Sequence, residues 1–348
     1  MSELQVSLLG IGVVVVAGVY LFNLWQERQF RRKAERVFAN EHNDVLLDEA
    51  PAGRMEPQLQ RATAISAVAH RPDTQPAIDP VVDYVVEVSL TAADDGAEPH
   101  EELRALAAEA RKPVLVAGRD AGNGWSDAGI GSSAEFSRLR FALQMVNRAG
   151  CADQSALAAF RDTVIKWVAR VGGEATYGDI AEAHKTATEL DRFCAEVDIA
   201  IGLNVISVNG TPFHGAEIRK VAEAAGFRLE ADGVFHYYDG SRWPALFTID
   251  NHDPMPFVPE QMNTLQTSGI TLLLDVPRIS DGEKVFDLMV ETAHSLASSL
   301  GGVVVDDKRA PLSDAATARI RAELRAILDK MNAAQIAAGS VRALRLFS

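Results

Sequence analysis

From Ile270 to Val276 the chain alternates: Ile270, Leu272, Leu274 and Val276 are separated by Thr271, Leu273 and Asp275. That is the period of a strand with one face buried. Pro277 ends the run, and Ser280 with Glu283 has the spacing of a capping box, in which two side chains satisfy the first amides of a helix. Val285, Phe286, Met289, Ala293, Leu296 and Leu300 then fall on one helical stripe. Gly301 and Gly302 stop the helix, and Val303 to Val305 begin another strand. Ser313 caps a last helix over Asp314 to Met331, with Ile320, Leu324, Ile327 and Met331 inward. The tail beyond it carries Arg342 and Arg345 and ends in Leu346-Phe347; it either frays or covers part of an earlier module.

The region from Tyr84 to Phe193 follows the same plan. Val86, Val88 and Leu90 match Ile201, Leu203 and Val205 at an offset of about 115 residues, a spacing that also relates two helical stripes. These are Leu103, Leu106, Ala107 and Ala110 against Ile218, Val221, Ala222 and Ala225. Later the offset becomes about 129, where Phe141, Leu143 and Met145 meet Ile270, Leu272 and Leu274, and Gly172-Gly173 meets Gly301-Gly302 with the helix Leu157 to Val171 before it. Equal parity at each strand is what a duplicated sheet requires, because a one-residue slip would turn core residues outward. The competing account is that two unrelated α+β modules share such patterns. The first copy is degenerate: it lacks a strand like the second copy's PALF segment at Pro244–Phe247 and shows GGEATYGD where the second has GGVVVDD.

Ahead of both modules, Leu4 to Trp25 is an apolar run of about 22 residues, about 33 Å as a helix, enough to cross a bilayer core. Tyr20 and Trp25 suit an interfacial belt, and Arg28, Arg31, Arg32, Lys33 and Arg36 follow at once. The positive-inside bias then puts the N-terminus in the periplasm and the bulk of the chain in the cytoplasm. A signal peptide would need basic residues before the run and a small-residue cleavage site after it, and has neither. From Phe38 to Pro80 the period is lost among five prolines, which reads as a flexible linker reaching roughly 35 Å.

AAGF at Ala224–Phe227, PALF at Pro244–Phe247, the glycine-led strand ending in Val276-Pro277, and GGVVVDD at Gly301–Asp307 occur in one order. With the strand Ile199–Val205 and the helix His214–Phe227, they make roughly the last 130 residues resemble the C-terminal domain of ZipA-type bacterial cell-division proteins. The resemblance implies an antiparallel sheet with helices on one face in a split β-α-β arrangement. It also implies a non-enzymatic, membrane-anchored adaptor whose helix-free sheet face holds the C-terminal tail of the tubulin-like protein FtsZ. The anchor fits that layout. The linker is shorter than the family's, and a second module is a departure from its single domain.

Alternation marks the working face independently. Ile199, Ile201, Leu203, Val205, Phe235, Tyr237, Ala245, Phe247, Ile249, Ile270, Leu272, Leu274 and Val276 point toward the helices. The opposite side displays Ala200, Gly202, Asn204, Val234, His236, Leu246, Thr248, Asp250, Thr271 and Leu273, a shallow and partly polar groove. Ala200, Val234, Leu273 and the edge residue Arg309 match the family's tail site. On the first copy Glu87, Ser89, Arg138, Arg140 and Gln144 occupy that side, so the tail site is expected on the second.

Net charge of −14 argues against a nucleic-acid partner. Cys151 and Cys194 lack metal or disulfide spacing. His214, His236, His252, Asp250 and Asp253 are read as surface polar groups and not as a metal or acid–base site, and Asp306-Asp307 as a loop feature. Gly129 and Gly131 in GIGSS lack a phosphate-loop lysine, and Ser132 and Ser133 lack a nucleophile frame. No catalytic residue, cofactor or small-molecule substrate is therefore expected. The expected organisation is an anchor at 1–27, a basic segment and linker at 28–80, a degenerate module at 81–196, the tail-binding domain at 197–332 and a tail at 333–348. The expected role is an inner-membrane adaptor that tethers or cross-links FtsZ filaments at the division septum. The alternative is a tethered scaffold for another partner, and a membrane-bound hydrolase is the remotest reading.

Overall fold

Period-two segments become strands and amphipathic segments become helices throughout the computed structural model, which describes residues 78–94, 100–119, 125–128, 135–208, 210–240, 243–306 and 309–348. The expected membrane-crossing segment Leu4–Trp25, the linker as far as residue 77, GIGSS and Asp307 lie outside the described residues. Among the described residues no helix is long and apolar enough to cross a membrane.

In chain order come β1 (Asp83–Asp94), α1 (His100–Ala110), β2 (Val114–Arg119), β3 (Ser126–Asp127), β4 (Phe136–Gln144), β5 (Val146–Asn147), β6 (Gly150–Cys151), α2 (Gln154–Val171), β7 (Gly173–Tyr177) and α3 (Ile180–Val197). They form a five-stranded antiparallel sheet of order β3-β2-β4-β1-β7. Val86, Val88, Leu139 and Phe141 on its covered face pack on Leu157, Phe160, Val164 and Trp167 of α2, with Phe141 and Trp167 edge-to-face at 5.4 Å. Asp153 caps α2 by accepting from the Ala156 amide.

The second part continues with β8 (Ala200–Ser207), β9 (Phe213–His214), α4 (Gly215–Ala224), β10 (Arg228–Leu229), β11 (Phe235–Tyr237), β12 (Phe247–Asn251), β13 (Gln266–Thr267), β14 (Gly269–Asp275), α5 (Gly282–Leu300), β15 (Gly302–Val305), α6 (Asp314–Ala333) and α7 (Val341–Leu346). Its main sheet is antiparallel, of order β10-β11-β12-β14-β8-β15. Leu203, Val205, Phe247, Ile249, Ile270, Leu272 and Leu274 bury one face under α4 and α5, whose Ile218, Phe286, Met289 and Ala293 complete the core. Each large side chain so buried contributes about 1.5–3 kcal/mol.

Three expectations are corrected. The capping box does not form: a 3-10 turn at Val276–Arg278 delays the helix to Gly282, and its N-cap is Asp281 at φ 54°, with no side-chain cap bond. Glu283 instead accepts from the Arg325 guanidinium of α6, 3.0 Å away. Ile199 does not join the core and is 40% exposed; it precedes β8, with its backbone bonded to Val197 and Val276. The two repeat offsets cannot both hold, because Val86 faces Phe141 while Val205 faces Ile270. With 129 kept for the later strand, the first strand is offset by 119 and not 115; the parity survives and the register moves by four. Among the described residues the first sheet places β2 beside β4, in the position that β12 holds beside β14 in the second.

The tail is ordered. Ala343, Leu346 and Phe347 are buried in the first core, and Arg345 pairs with Asp83, its Nη1 donating to Oδ2 at 3.0 Å. Gln144 donates to the Arg345 carbonyl at 2.9 Å, which takes Gln144 off the open face where it was expected. α6 serves both cores, with Leu324 in the second and Met331 in the first. Arg148, in the β5–β6 turn, bridges Asp198 and Asp275 at 2.6 and 2.7 Å.

Candidate functional site

The helices cover one face of the second sheet, and the opposite face is read row by row from the strand register. One row runs His236, Thr248, Leu273, Gly202. Leu273 is 36% exposed, and its neighbour on β8 is a glycine, so a notch lies beside it. The next row is Asp250, Thr271, Asn204, Val305. Gly269, Ile206 and Val303 form the next, with Val303 42% exposed. Ala200 pairs with Asp275 at the far end, where Arg148 closes the sheet against the first module.

The alternation therefore puts Ala200, Gly202, Asn204, His236, Thr248, Asp250, Thr271 and Leu273 on one face. Val234 and Leu246, just before β11 and β12, are half-buried beside it. Arg309 is exposed at φ 61°, on the turn after β15. Asn204 is less open than expected, at 8% exposure. Thr271 donates to its Oδ1 at 2.7 Å and accepts from His252 Nδ1 at 3.3 Å. A polar strip thus braces the middle of the face. Val305 is buried on the same side, where its strand end bridges to Pro311.

Ile206, Val303 and Val305 went unrecognised on this face. The valines needed the pairing of Gly302 with Ser207 to set their parity. His252, two residues after Asp250, continues the alternation onto the same face and reaches Thr271 across the strands.

The β10–β12 end is acidic. His236 Nε2 donates to Asp232 at 2.9 Å, and the Tyr238 hydroxyl donates to Glu230 at 2.6 Å. Burial, the bond to Glu230 and nearby acids push the Tyr238 hydroxyl above its ordinary range. Burial also pushes Asp250 up, reinforced by the charge of Asp232 and opposed by His236. Asp253 moves the other way: its carboxylate accepts the Ser268 hydroxyl at 2.7 Å and amide at 3.0 Å, which lowers it. Asp253 is a loop staple and stays apart from the groove. Among the described residues no group of three His, Cys, Asp or Glu side chains could hold a metal ion.

A shallow face with one proud leucine, a glycine notch and flanking charges suits an extended peptide that inserts an apolar side chain. Residues 199–323, which build this face and its covering helices, match the family model of ZipA, C-terminal FtsZ-binding domain.

Proposed function

We propose that this protein is an inner-membrane cell-division adaptor whose second sheet holds the C-terminal tail of FtsZ. Leu4–Trp25 would be its single-pass anchor, with a periplasmic N-terminus, and the linker would give lateral reach toward the septum. Filaments held by many such heads would be tethered or cross-linked. The family match supports an FtsZ-binding role in cell division and favours an adaptor over an enzyme. The first module is read as a degenerate copy within 81–196, ahead of the binding domain at 197–332.

The observation that carries this reading is Leu273, exposed on the helix-free face between Thr248 and the bare Gly202. Ala200, Leu246 and Val303 add apolar surface around it, whereas Asn204, Thr271 and Asp250 limit it. Each methylene not buried forfeits about 0.8 kcal/mol, so a single tail binds weakly. A polymer offers many tails to many heads, and linkage raises the apparent affinity by factors on the order of 10². The test is fluorescence anisotropy of a labelled FtsZ tail peptide. Leu273→Asp should weaken binding at least about tenfold with an unchanged circular-dichroism spectrum. Unaltered binding would remove the face from consideration.

A further inference from the structure

We propose that Asp250 sets the specificity of this face by receiving a lysine or arginine side chain of the docked segment, an inference that rests on reading the face as the peptide site. Asp250 lies on β12, directly across from Thr271. The donors around it are committed elsewhere: the Thr271 hydroxyl to Asn204, the His252 Nδ1 to Thr271, the His236 Nε2 to Asp232. Among the described residues none donates to the Asp250 carboxylate. Nor are its oxygens among the fully enclosed polar atoms without a partner, which are Trp167 Nε1 and Asn251 Nδ2. They therefore keep some exposure, on the strand position that the register assigns to this face.

A half-buried carboxylate that lacks donors is costly, and the penalty shows in its upward shift. A cation arriving with a ligand removes that penalty and forms a charge-assisted bond, the strong kind. Its surroundings favour the same sign, since Asp232 and Glu230 lie at this end and Arg309 follows the opposite edge strand. Position completes the geometry. Leu273 pairs with Thr248, two residues before Asp250 on β12, so the two points are about 7 Å apart along the strand. An extended peptide with its apolar anchor at Leu273 would bring a basic residue two positions away to Asp250.

The experiment titrates the full chain with two labelled peptides, the FtsZ tail and the same tail with every lysine and arginine replaced by glutamine. Asp250→Asn should weaken the unaltered tail about tenfold. The substituted tail should bind wild type about tenfold more weakly and be indifferent to Asp250→Asn. Asp250→Lys should recover a tail whose basic residues are replaced by glutamate. If Leu273→Asp abolishes binding while Asp250→Asn treats both tails as wild type does, the inference falls and the face stands. If neither substitution changes binding, both fall.

Discussion

Asp250 and Asp253, three residues apart, have opposite consequences for stability. Asp250 is raised, chiefly by burial, so its folded form prefers the proton. The stability it contributes is complete below the unfolded value near 3.8 and is lost as pH rises through the higher folded value. Asp253 is lowered, chiefly by the Ser268 hydroxyl, so its contribution is present above 3.8 and lost as pH falls through its folded value. Asp250→Asn should therefore raise the urea midpoint at pH 7, and the gain should vanish at pH 3.5; equal midpoints at pH 7 would contradict the burial penalty. Removing it would stabilise the empty protein and weaken the proposed complex, the trade expected of a residue kept for a ligand. The burial of the alternate residues Leu203, Val205, Leu272 and Leu274 was legible from period two alone. The shortage of donors at Asp250 was not, because it depends on which partners Thr271 and His252 choose across strands.

At the scale of elements, helices and strand faces could be read because each is a local pattern. Ends and junctions could not. The stripe Val285, Phe286, Met289, Ala293 and Leu296 is buried as its spacing required, but the start of α5 is decided by distant chain. Gly339, at φ 72°, presses on that start: a Cβ there would lie 2.3 Å from the Ser280 amide nitrogen, and the Gly339 amide donates to the Pro277 carbonyl at 3.0 Å. Here the tail clasps the turn between β14 and α5, a contact spanning some sixty residues that composition does not announce. Gly339→Ala combines a left-handed backbone with a collision against backbone, so neither side can yield by changing a rotamer. It should cost on the order of 2–3 kcal/mol in urea unfolding. Hydrogen exchange should also quicken at Ser340–Phe347 and at the Val276–Arg278 turn together. Quickening of the tail alone would mean that the clasp does not hold the turn.

At the scale of the whole molecule, charged and apolar contacts among the described residues both join the two modules, and magnitudes decide between them. The charged one is Arg148 with Asp198 and Asp275, supported by Lys330 with Glu196; the hydrogen bonds that Arg148 donates to Asp275 and Asp198 keep it protonated at any accessible pH. These groups are about a third or more exposed, so solvent screening leaves each pair about 1 kcal/mol or less. The apolar contact is α6, which places Met331 in the first core and Leu324 in the second, and is followed by Ile336, Leu346 and Phe347 in the first. Truncating a fully buried methionine costs about 2–5 kcal/mol. Met331→Ala should therefore destabilise the chain well beyond Arg148→Ala, whose loss should stay near 1 kcal/mol and shrink further in molar salt. Urea unfolding of both variants at low and high salt checks this. If Arg148→Ala costs more than Met331→Ala, the sheets are held by charge. The expected order instead makes the charged clamp a device for alignment: it fixes where the first module stands against the Ala200 end of the groove, while the shared helix supplies the adhesion.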